Sequence, residues 1–456
     1  MTPPLLSVLL VLSLLSAPIV PARAADIPAR PNILFLLTDD QRWDTIHALG
    51  NPEIRTPTFD RLVAQGFNFS NAFCQGSMIG GICLPSRTMI VTGRSLWRIP
   101  PKMMAKTAPP GVPLLPTLLS DSGYVTFHCG KAGNACTFGN AAFQTNISTE
   151  KRSETSATEL AGHAIEFLNK HDASKPFFMY LAPPVPHDPR LAPPGFAKMY
   201  DPAKVTLPKQ FMREHPFDPG VLDIRDEKLA PYPRTPEDMR QHLADYYGTI
   251  SHMDHEFGRV LDVLKQRGLA EKTVVIFSSD QGLACGGYHA LMGKQNLYED
   301  VKPPLIIAGP GIPHGRSGAL VYLYDIFPTI CDLAGVRVPA VVEGKSLLPV
   351  ALGKTPRLRE TLFGAYATVQ RMVRDERWKL IEFDVKGRRD TLLFDLAGDP
   401  EEIHSLAASP AHAAELARLR AALAAARREF GDPVAFGGSA SGAPVPESPG
   451  KDESGK

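Results

Sequence analysis

The sequence lacks an excess of charge of either sign. It contains 49 Lys and Arg residues against 48 Asp and Glu residues, so its formal net charge is +1. This balance gives no sign of a nucleic-acid partner. No internal repeat is visible. With 456 residues and an apolar content of 44%, the chain is long enough for one large domain and a smaller one.

Long apolar runs are absent after residue 24, which excludes a later membrane-spanning helix. The run LLSVLLVLSL at 5–14 is too short to cross a bilayer of about 30 Å. Ala22 and Ala24 fit a small-x-small cleavage site, although no Lys or Arg precedes the run. We predict a cleaved signal peptide over 1–24, with a lipid-free membrane anchor as the alternative. The mature protein is then exported, periplasmic or secreted, without stable membrane association.

Cysteine is scarce and scattered. In an exported protein six cysteines suggest up to three disulfides by default. Without dense spacing, such bridges are optional and not a scaffold. The six are Cys74, Cys83, Cys129, Cys136, Cys285 and Cys331.

Apolar runs that end in polar residues predict buried parallel strands. NILFLLTDD at 32–40 ends in two acids, 176–189 contains His187, and 273–282 contains Asp280. A fourth run, PPLIIAGPG, lies at 303–311. Because amphipathic helices alternate with these runs, we predict an α/β fold with a large, mostly parallel sheet sandwiched by helices. The polar strand ends should share one edge, where sites gather in such sheets.

The pattern changes after residue 355. Short alternating segments followed by an Ala/Leu/Arg-rich helix at about 410–429 predict a small α+β subdomain with an antiparallel sheet. We therefore divide the chain into a catalytic domain at 25–355 and a C-terminal subdomain at 356–433. The Gly/Ser/Pro-rich tail at 434–456 is predicted to be disordered.

The strand ends supply hard oxygen ligands. Each of the polar residues discussed here, taken alone, has a purely structural explanation. An adjacent Asp pair can cap a helix, and a lysine can be a solvated surface charge. Taken together, the carboxylates and the amide suit Ca²⁺ or Mg²⁺ and not zinc, and the cations suit a tetrahedral oxyanion. A metal with cationic clamps is what ester cleavage at sulfur or phosphorus requires. The ligand candidates are Asp39, Asp40, Asp280 and Gln281, and the cations are Arg87, Lys131 and Lys294.

A twelve-residue segment resembles the signature of a known enzyme family. CLPSRTMIVTGR, from Cys83 to Arg94, matches C-x-P-S-R-x4-T-G-R, the signature of type I sulfatases. The segments NILFLLTDDQ, GYVTFHCGK, PPVPHDP, VVIFSSDQG and HALMGKQNLYE are similar to that family in the same order. The resemblance implies an alkaline-phosphatase-like fold with a small C-terminal subdomain.

The resemblance implies that Cys83 is a precursor, with a disulfide or a free thiol as the alternatives. In the family a maturation enzyme oxidises this cysteine to Cα-formylglycine. The hydrated aldehyde has one hydroxyl to attack sulfur and a second from which it collapses to release sulfate. The modified Cys83 is then a further ligand of the Ca²⁺ ion, with Mg²⁺ as the alternative.

The remaining roles follow from matching positions. Arg87 and Lys131 would bind the hydrate and the sulfate. His187 would contact the bridging oxygen or protonate the leaving group, and Lys294 would do similar work. His289 is a weaker candidate for substrate contact.

The sequence departs from the family pattern at three places. Gly133 stands where G-K-x-H usually has a histidine, so either turnover is slowed or a neighbour such as His128 or His289 substitutes for it. Gln281 stands where the family usually has an Asn or a His. The segment GGYHALMGK is one residue longer than the family's H-G-L-x-G-K pattern. We expect an exported sulfatase that acts on a sulfated small molecule or glycan. The alternatives are a phosphodiester or phosphonate monoester hydrolase, and an impaired relative that only binds sulfated glycans.

Overall fold

The computed structural model describes residues 26–149 and 152–434, so the predicted signal peptide and all of the predicted tail beyond residue 434 lie outside the described residues. The β-strands of the described residues are β1 Asn32–Thr38, β2 Phe67–Phe73, β3 Gly76–Ser77, β4 Val125–Lys131, β5 Thr145–Thr149, β6 Phe177–Ala182, β7 Thr273–Ser279, β8 Leu305–Ala308, β9 Gly315–Tyr322, β10 Leu362–Tyr366, β11 Gln370–Arg374, β12 Trp378–Val385 and β13 Arg388–Asp395. The α-helices are α1 Pro57–Gln65, α2 Cys83–Thr92, α3 Leu115–Asp121, α4 Thr137–Ala141, α5 Ser156–Lys170, α6 Pro194–Ala197, α7 Pro236–Gln266, α8 Ile326–Ala334, α9 Leu348–Ala351 and α10 Ala413–Phe430. Within these ranges, no helix is long and apolar enough to cross a membrane.

An eight-stranded sheet in the order β5-β4-β6-β1-β7-β8-β2-β9 forms the centre of the large domain. The five strands from β5 to β7 are parallel, as the apolar runs predicted. The predicted fourth strand is β8, and it runs antiparallel to both β7 and β2. The mixed, mostly parallel sheet is therefore confirmed.

The strands of the centre are buried because helices cover both faces of the sheet. Every residue of β1, β6 and β7 is buried. One face packs with apolar residues of α1, α5 and α7, and the other packs with residues of α2, α3, α8 and α9. This three-layer arrangement leaves the ends of the strands as the place where polar side chains can meet.

A second sheet of five strands has the order β13-β12-β11-β10-β3. The strands β10 to β13 are antiparallel, as the alternating pattern after residue 355 predicted. The predicted helix at about 410–429 is α10, which shares a core with this sheet. The strand β3 pairs with β10 from a distant part of the chain, so the C-terminal sheet is joined to the segment just before α2. The domain boundary at residue 355 stays a prediction.

All six cysteines are free thiols in the structure. Five are buried and Cys74 is half-buried. The default expectation of up to three disulfides is therefore not met, and the large cores make the bridges unnecessary.

Gly76 offers a test of the junction between the two sheets. Its φ is +105°, and a Cβ added there would lie 1.9 Å from the Ala365 carbonyl oxygen. We expect Gly76→Ala to lower the free energy of unfolding by about 2 kcal/mol or more, because left-handed backbone strain adds to the clash. The measurement is urea unfolding followed by circular dichroism.

The matched control is Gly162→Ala within α5, where no heavy atom outside the adjacent residues and the helix's own backbone lies within 4 Å of the added Cβ. We expect this control to be neutral or stabilising by up to about 1 kcal/mol. Equal stability of the two variants would contradict the role assigned to Gly76.

Candidate active site

The carboxylates predicted at two strand ends meet because β1 and β7 are adjacent and parallel. The Asp280 amide donates to the Thr38 carbonyl oxygen at 3.1 Å, and the Asp40 amide donates to Asp280 Oδ1 at 3.1 Å. Asp39, Asp40 and Asp280 are buried. One ligand atom from each, together with Cys83 Sγ, lies within 4.8 Å of all the others. The structure therefore brings four predicted metal ligands together.

Helix α2 delivers Cys83 and Arg87 to the same cluster. Cys83 is the first residue of the helix, and its Sγ lies 3.4 Å from Asp39 Oδ1. Arg87 follows four residues later on the same helical face. Its Nε donates to Asp280 Oδ2 at 2.9 Å, and its Nη2 lies 3.6 Å from Asp39 Oδ1. That Nη2 atom is buried and has no hydrogen-bond partner.

Two buried lysines pair with the aspartates of the β1 end. Lys131 is the last residue of β4, and its Nζ lies 2.7 Å from Asp39 Oδ2. Lys294 comes from the irregular segment between β7 and β8, and its Nζ lies 2.6 Å from Asp40 Oδ2. Because buried lysines are rare without ionic partners, these are not solvated surface charges.

His187 reaches the cluster from the loop after β6. Its Nε2 lies 3.6 Å from Asp40 Oδ2. On the other side of the ring, Nδ1 lies 3.1 Å from Asp188 Oδ1 and 2.9 Å from the Asp188 carbonyl oxygen. The imidazole is thus held between a carboxylate of the cluster and its own neighbour in the chain.

Burial and charge act against each other in the cluster. Burial raises the pKa of Asp39, but Lys131, His187 and Arg87 outweigh it and hold that pKa well below its ordinary value. Burial raises the pKa of Asp280 to about 6 although Arg87 opposes it. Burial also raises the pKa of the Cys83 thiol well above its ordinary value, against the lysines. The carboxylates are therefore stable in this buried place only with their cations.

Gln281 bears on whether a metal fits here. Its Nε2 donates to Asp40 Oδ1 and lies 3.2 Å from Cys83 Sγ, whereas its buried Oε1 has no partner. The two ends of an amide are alike in shape, and a half-turn would direct the unpaired oxygen to the cluster. Three carboxylates and an amide oxygen then form a donor set that fits Ca²⁺ or Mg²⁺.

The structure does not bring every predicted residue to the cluster. The His289 ring stacks on Tyr298 at 3.9 Å and its Nε2 lies 3.1 Å from the Glu402 carbonyl oxygen. His128 Nδ1 lies 2.7 Å from Asn146 Oδ1. These described contacts give no support to a role of either histidine at the cluster. Gly133 is exposed, and a Cβ added there would have no heavy atom within 4 Å apart from those of its two chain neighbours.

Three charged residues near the cluster escaped the sequence analysis. Asp188 directly follows His187, and this adjacency was the only available signal. Arg225 and Asp226 lie in the long irregular segment before α7. Arg225 pairs with both aspartates, and Asp226 Oδ2 lies 3.5 Å from Lys294 Nζ.

Two family models match the chain. The model described as Sulfatase matches residues 31–336, and the model described as N-sulphoglucosamine sulphohydrolase, C-terminal, matches residues 287–429. The chain belongs to the sulfatase family. It is by that membership a sulfuric ester hydrolase.

Curated relatives cover most of the chain. An arylsulfatase of Clostridium perfringens is 26% identical in an alignment that covers 83% of this chain and 90% of the relative. An N-acetylglucosamine-6-O-sulfatase of Bacteroides thetaiotaomicron is 24% identical in an alignment that covers 88% of this chain and 87% of the relative.

Solved structures share the fold. A protein solved in complex with its substrate D-glucosamine-2-N,6-O-disulfate has a TM-score of 0.75 at 22% identity, covering 89% of this chain and 99% of that one. A phosphonate monoester hydrolase of Agrobacterium radiobacter has a TM-score of 0.73 at 22% identity, and the match covers 88% of this chain and 96% of that one. The alkaline-phosphatase-like fold implied by the signature is confirmed.

The donor set predicts that a divalent cation stabilises the protein. After treatment with a chelator, we expect Ca²⁺ or Mg²⁺ at 100-fold excess over its Kd to raise Tm by about 3 °C, because the ion binds only the folded cluster. We expect Asp280→Asn to lose this shift. The measurement is differential scanning calorimetry with and without the ion.

The matched control is Asp254→Asn, since Asp254 is a buried aspartate that accepts hydrogen bonds from the Thr58 and Phe59 amides. This variant should keep the full metal-dependent shift. An equal shift in wild type and Asp280→Asn would place the ion elsewhere.

Proposed function

We propose that the protein is an exported sulfatase that hydrolyses sulfate esters of a carbohydrate. Cys83 would be converted to Cα-formylglycine by a maturation enzyme. Ca²⁺, with Mg²⁺ as the alternative, would bind Asp39, Asp40, Asp280, Gln281 and the modified Cys83. The observation that carries the proposal is the position of Cys83 where these carboxylates converge, one helical turn from Arg87, whose Nη2 donates no hydrogen bond.

The choice of a carbohydrate rests on the relatives. One curated relative is an N-acetylglucosamine-6-O-sulfatase, and a protein of the same fold was solved with D-glucosamine-2-N,6-O-disulfate. Export rests on the apolar run at 5–14 and the cleavage site that follows it. Periplasmic and secreted locations both agree with this assignment.

The absent groups would supply the nucleophile and a Lewis acid. Formylglycine at residue 83 would provide a hydroxyl nucleophile and a route for releasing sulfate, and a bound metal would stabilise negative charge on oxygen. Arg87 and Lys131 supply fixed positive charge to bind the non-bridging oxygens. Arg87 Nη2 is available for such a contact without breaking an existing hydrogen bond.

His187 and Lys294 would serve the leaving-group side. Both approach Asp40 Oδ2, at 3.6 Å and 2.6 Å, so their proton-bearing atoms face the same point of the cluster. Either can give a proton to the bridging oxygen as the alcohol departs. Both side chains are buried, so this proton is shielded from bulk water.

The conversion of Cys83 is tested by mass. In protein isolated from its native cell, we expect the peptide that spans residue 83 to be lighter by about 18 Da than the cysteine form, because the thiol becomes an aldehyde. Cys83→Ala should abolish hydrolysis of sulfate esters. Peptides with the other five cysteines are the internal control and should keep their unmodified masses. An active protein with an intact thiol at residue 83 would falsify the proposal.

A phosphodiester or phosphonate monoester hydrolase is the second candidate. Phosphonate monoester hydrolases share the fold, but at 22% identity the likeness extends to the fold alone. The same modified protein is assayed with 4-nitrophenyl sulfate and with a 4-nitrophenyl phosphonate monoester. A higher kcat/KM for the sulfate supports the sulfatase, and the reverse order supports the second candidate.

An impaired relative that only binds sulfated glycans is the third candidate, and Gly133 favours it. The open space at this position accepts a side chain. If the missing histidine limits turnover, Gly133→His should raise kcat on sulfate esters about 100-fold, the lower limit of what a positioned general base contributes.

Gly133→Ala is the control, since it adds a Cβ without a titratable ring. We expect its kcat to match that of the wild type. No gain in Gly133→His would show that residue 133 does not limit the rate.

A further inference from the structure

One arginine joins two carboxylates beside the cluster. Arg225 Nη1 lies 3.0 Å from Asp188 Oδ1 and 3.0 Å from Asp226 Oδ1. Its Nη2 also donates to Asp188 Oδ2. The side chain of Arg225 is 58% exposed, whereas those of Asp188 and Asp226 are each 9% exposed. The arginine therefore reaches from the solvent side and caps two buried acids.

Each of these acids contacts one of the two groups assigned to the leaving-group side. Asp188 Oδ1 lies 3.1 Å from His187 Nδ1, and Asp226 Oδ2 lies 3.5 Å from Lys294 Nζ. Asp226 Oδ2 also accepts from Gln295 Nε2 at 3.0 Å. His187 Nε2 and Lys294 Nζ also lie 3.6 Å and 2.6 Å from Asp40 Oδ2. His187 and Lys294 are thus held between Asp40 and an acid bound by Arg225.

We infer that Asp188, Arg225 and Asp226 form a positioning clamp that aims His187 and Lys294 at the bridging oxygen of the substrate. The inference rests on the proposed function. Throughout, "the clamp" means these three residues.

Asp188 fixes the orientation of the His187 imidazole. A carboxylate beside the Nδ1–H group holds the ring in one orientation and stabilises its cationic form, in which Nε2 also carries a proton and is directed at the cluster. When the S–O bond to the alcohol breaks, the bridging oxygen keeps the bonding electron pair. It then takes one proton, from His187 Nε2 or Lys294 Nζ.

Asp226 provides the Lys294 ammonium with a second carboxylate partner. Asp40 is a proposed metal ligand, and a bound cation would weaken its attraction for the Lys294 ammonium. Asp226 is a second carboxylate partner, which keeps the buried ammonium paired. Arg225 in turn balances both acids, whose burial would otherwise disfavour their charged form. The pKa of Asp226 is lowered to about 2, with burial opposing and Lys294, Gln295 and Arg225 among the groups that lower it.

The first test uses leaving groups of different quality. Asp188→Asn keeps a hydrogen-bond acceptor but removes the charge. We expect kcat to fall about 10- to 100-fold for an alkyl sulfate and less than about 3-fold for 4-nitrophenyl sulfate, whose alcohol departs without a proton. A merely structural defect would slow both esters equally, and that result would overturn the clamp.

The second test asks whether Arg225 acts through the two acids. Arg225→Gln should lower kcat for the alkyl sulfate with little change in KM. In the Asp188→Asn/Asp226→Asn background, adding Arg225→Gln should change kcat less than about 2-fold. A rise in KM for both esters at constant kcat would make Arg225 a substrate contact and overturn the inference.

Arg420→Gln is the matched control. Arg420 is a similarly exposed arginine that pairs with Glu382 at 2.7 Å in the C-terminal subdomain. It should leave kcat and KM unchanged for both esters.

A third measurement does not depend on turnover. Side-chain ¹H–¹⁵N NMR, assigned with His187→Ala, should show the Nδ1–H proton of His187 shifted downfield in the wild type, because the Asp188 carboxylate lies 3.1 Å from Nδ1. We expect this downfield shift to decrease in Asp188→Asn and in Arg225→Gln, and an unchanged signal would overturn the clamp. If the wild type hydrolyses no sulfate ester, the proposed function fails, and the NMR result still decides the positioning of His187.

Discussion

The pairing of three buried aspartates with three buried cations at one sheet edge is the constraint on which the rest depends. Asp39 pairs with Lys131, Asp40 with Lys294, and Asp280 with Arg87. Breaking one such buried pair costs about 3–5 kcal/mol, since an uncompensated charge remains. The cations come from a strand, a helix and an irregular segment. Charge compensation therefore ties distant parts of the chain to the ends of β1 and β7.

The sequence predicted the parts of this arrangement that local patterns encode. A continuous apolar run is typical of a strand buried on both faces, and β1, β6 and β7 follow those runs. Since parallel strands end at a common edge, the meeting of Asp39 and Asp40 with Asp280 followed directly. The signature identified Cys83 and Arg87 as candidates, but the helix that separates them by one turn was not predicted. The individual roles of these residues remain proposals.

Long-range geometry was beyond the sequence. The pairing of β3 with β10 joins residues 76–77 to 365–366, and two-residue strands carry no periodic pattern. The antiparallel direction of β8 likewise depends on its neighbours, since an apolar run does not distinguish a parallel strand from an antiparallel one. His289 was placed by motif resemblance, but stacking on Tyr298 directs it to Glu402. The clamp was missed because Arg225 stands in an irregular segment.

The charge of the site favours an anionic substrate but does not distinguish a sulfate ester from a phosphonate ester. The three carboxylates are balanced by three cations, so a bound divalent ion would make the cluster positive and attract an anionic ester. A sulfate monoester and a phosphonate monoester are both monoanions at neutral pH, and this attraction is the same for both. Discrimination must therefore come from the placement of donors around the reacting centre. On the leaving-group side that placement depends on His187 and Lys294, and thus on the acids that Arg225 holds beside them.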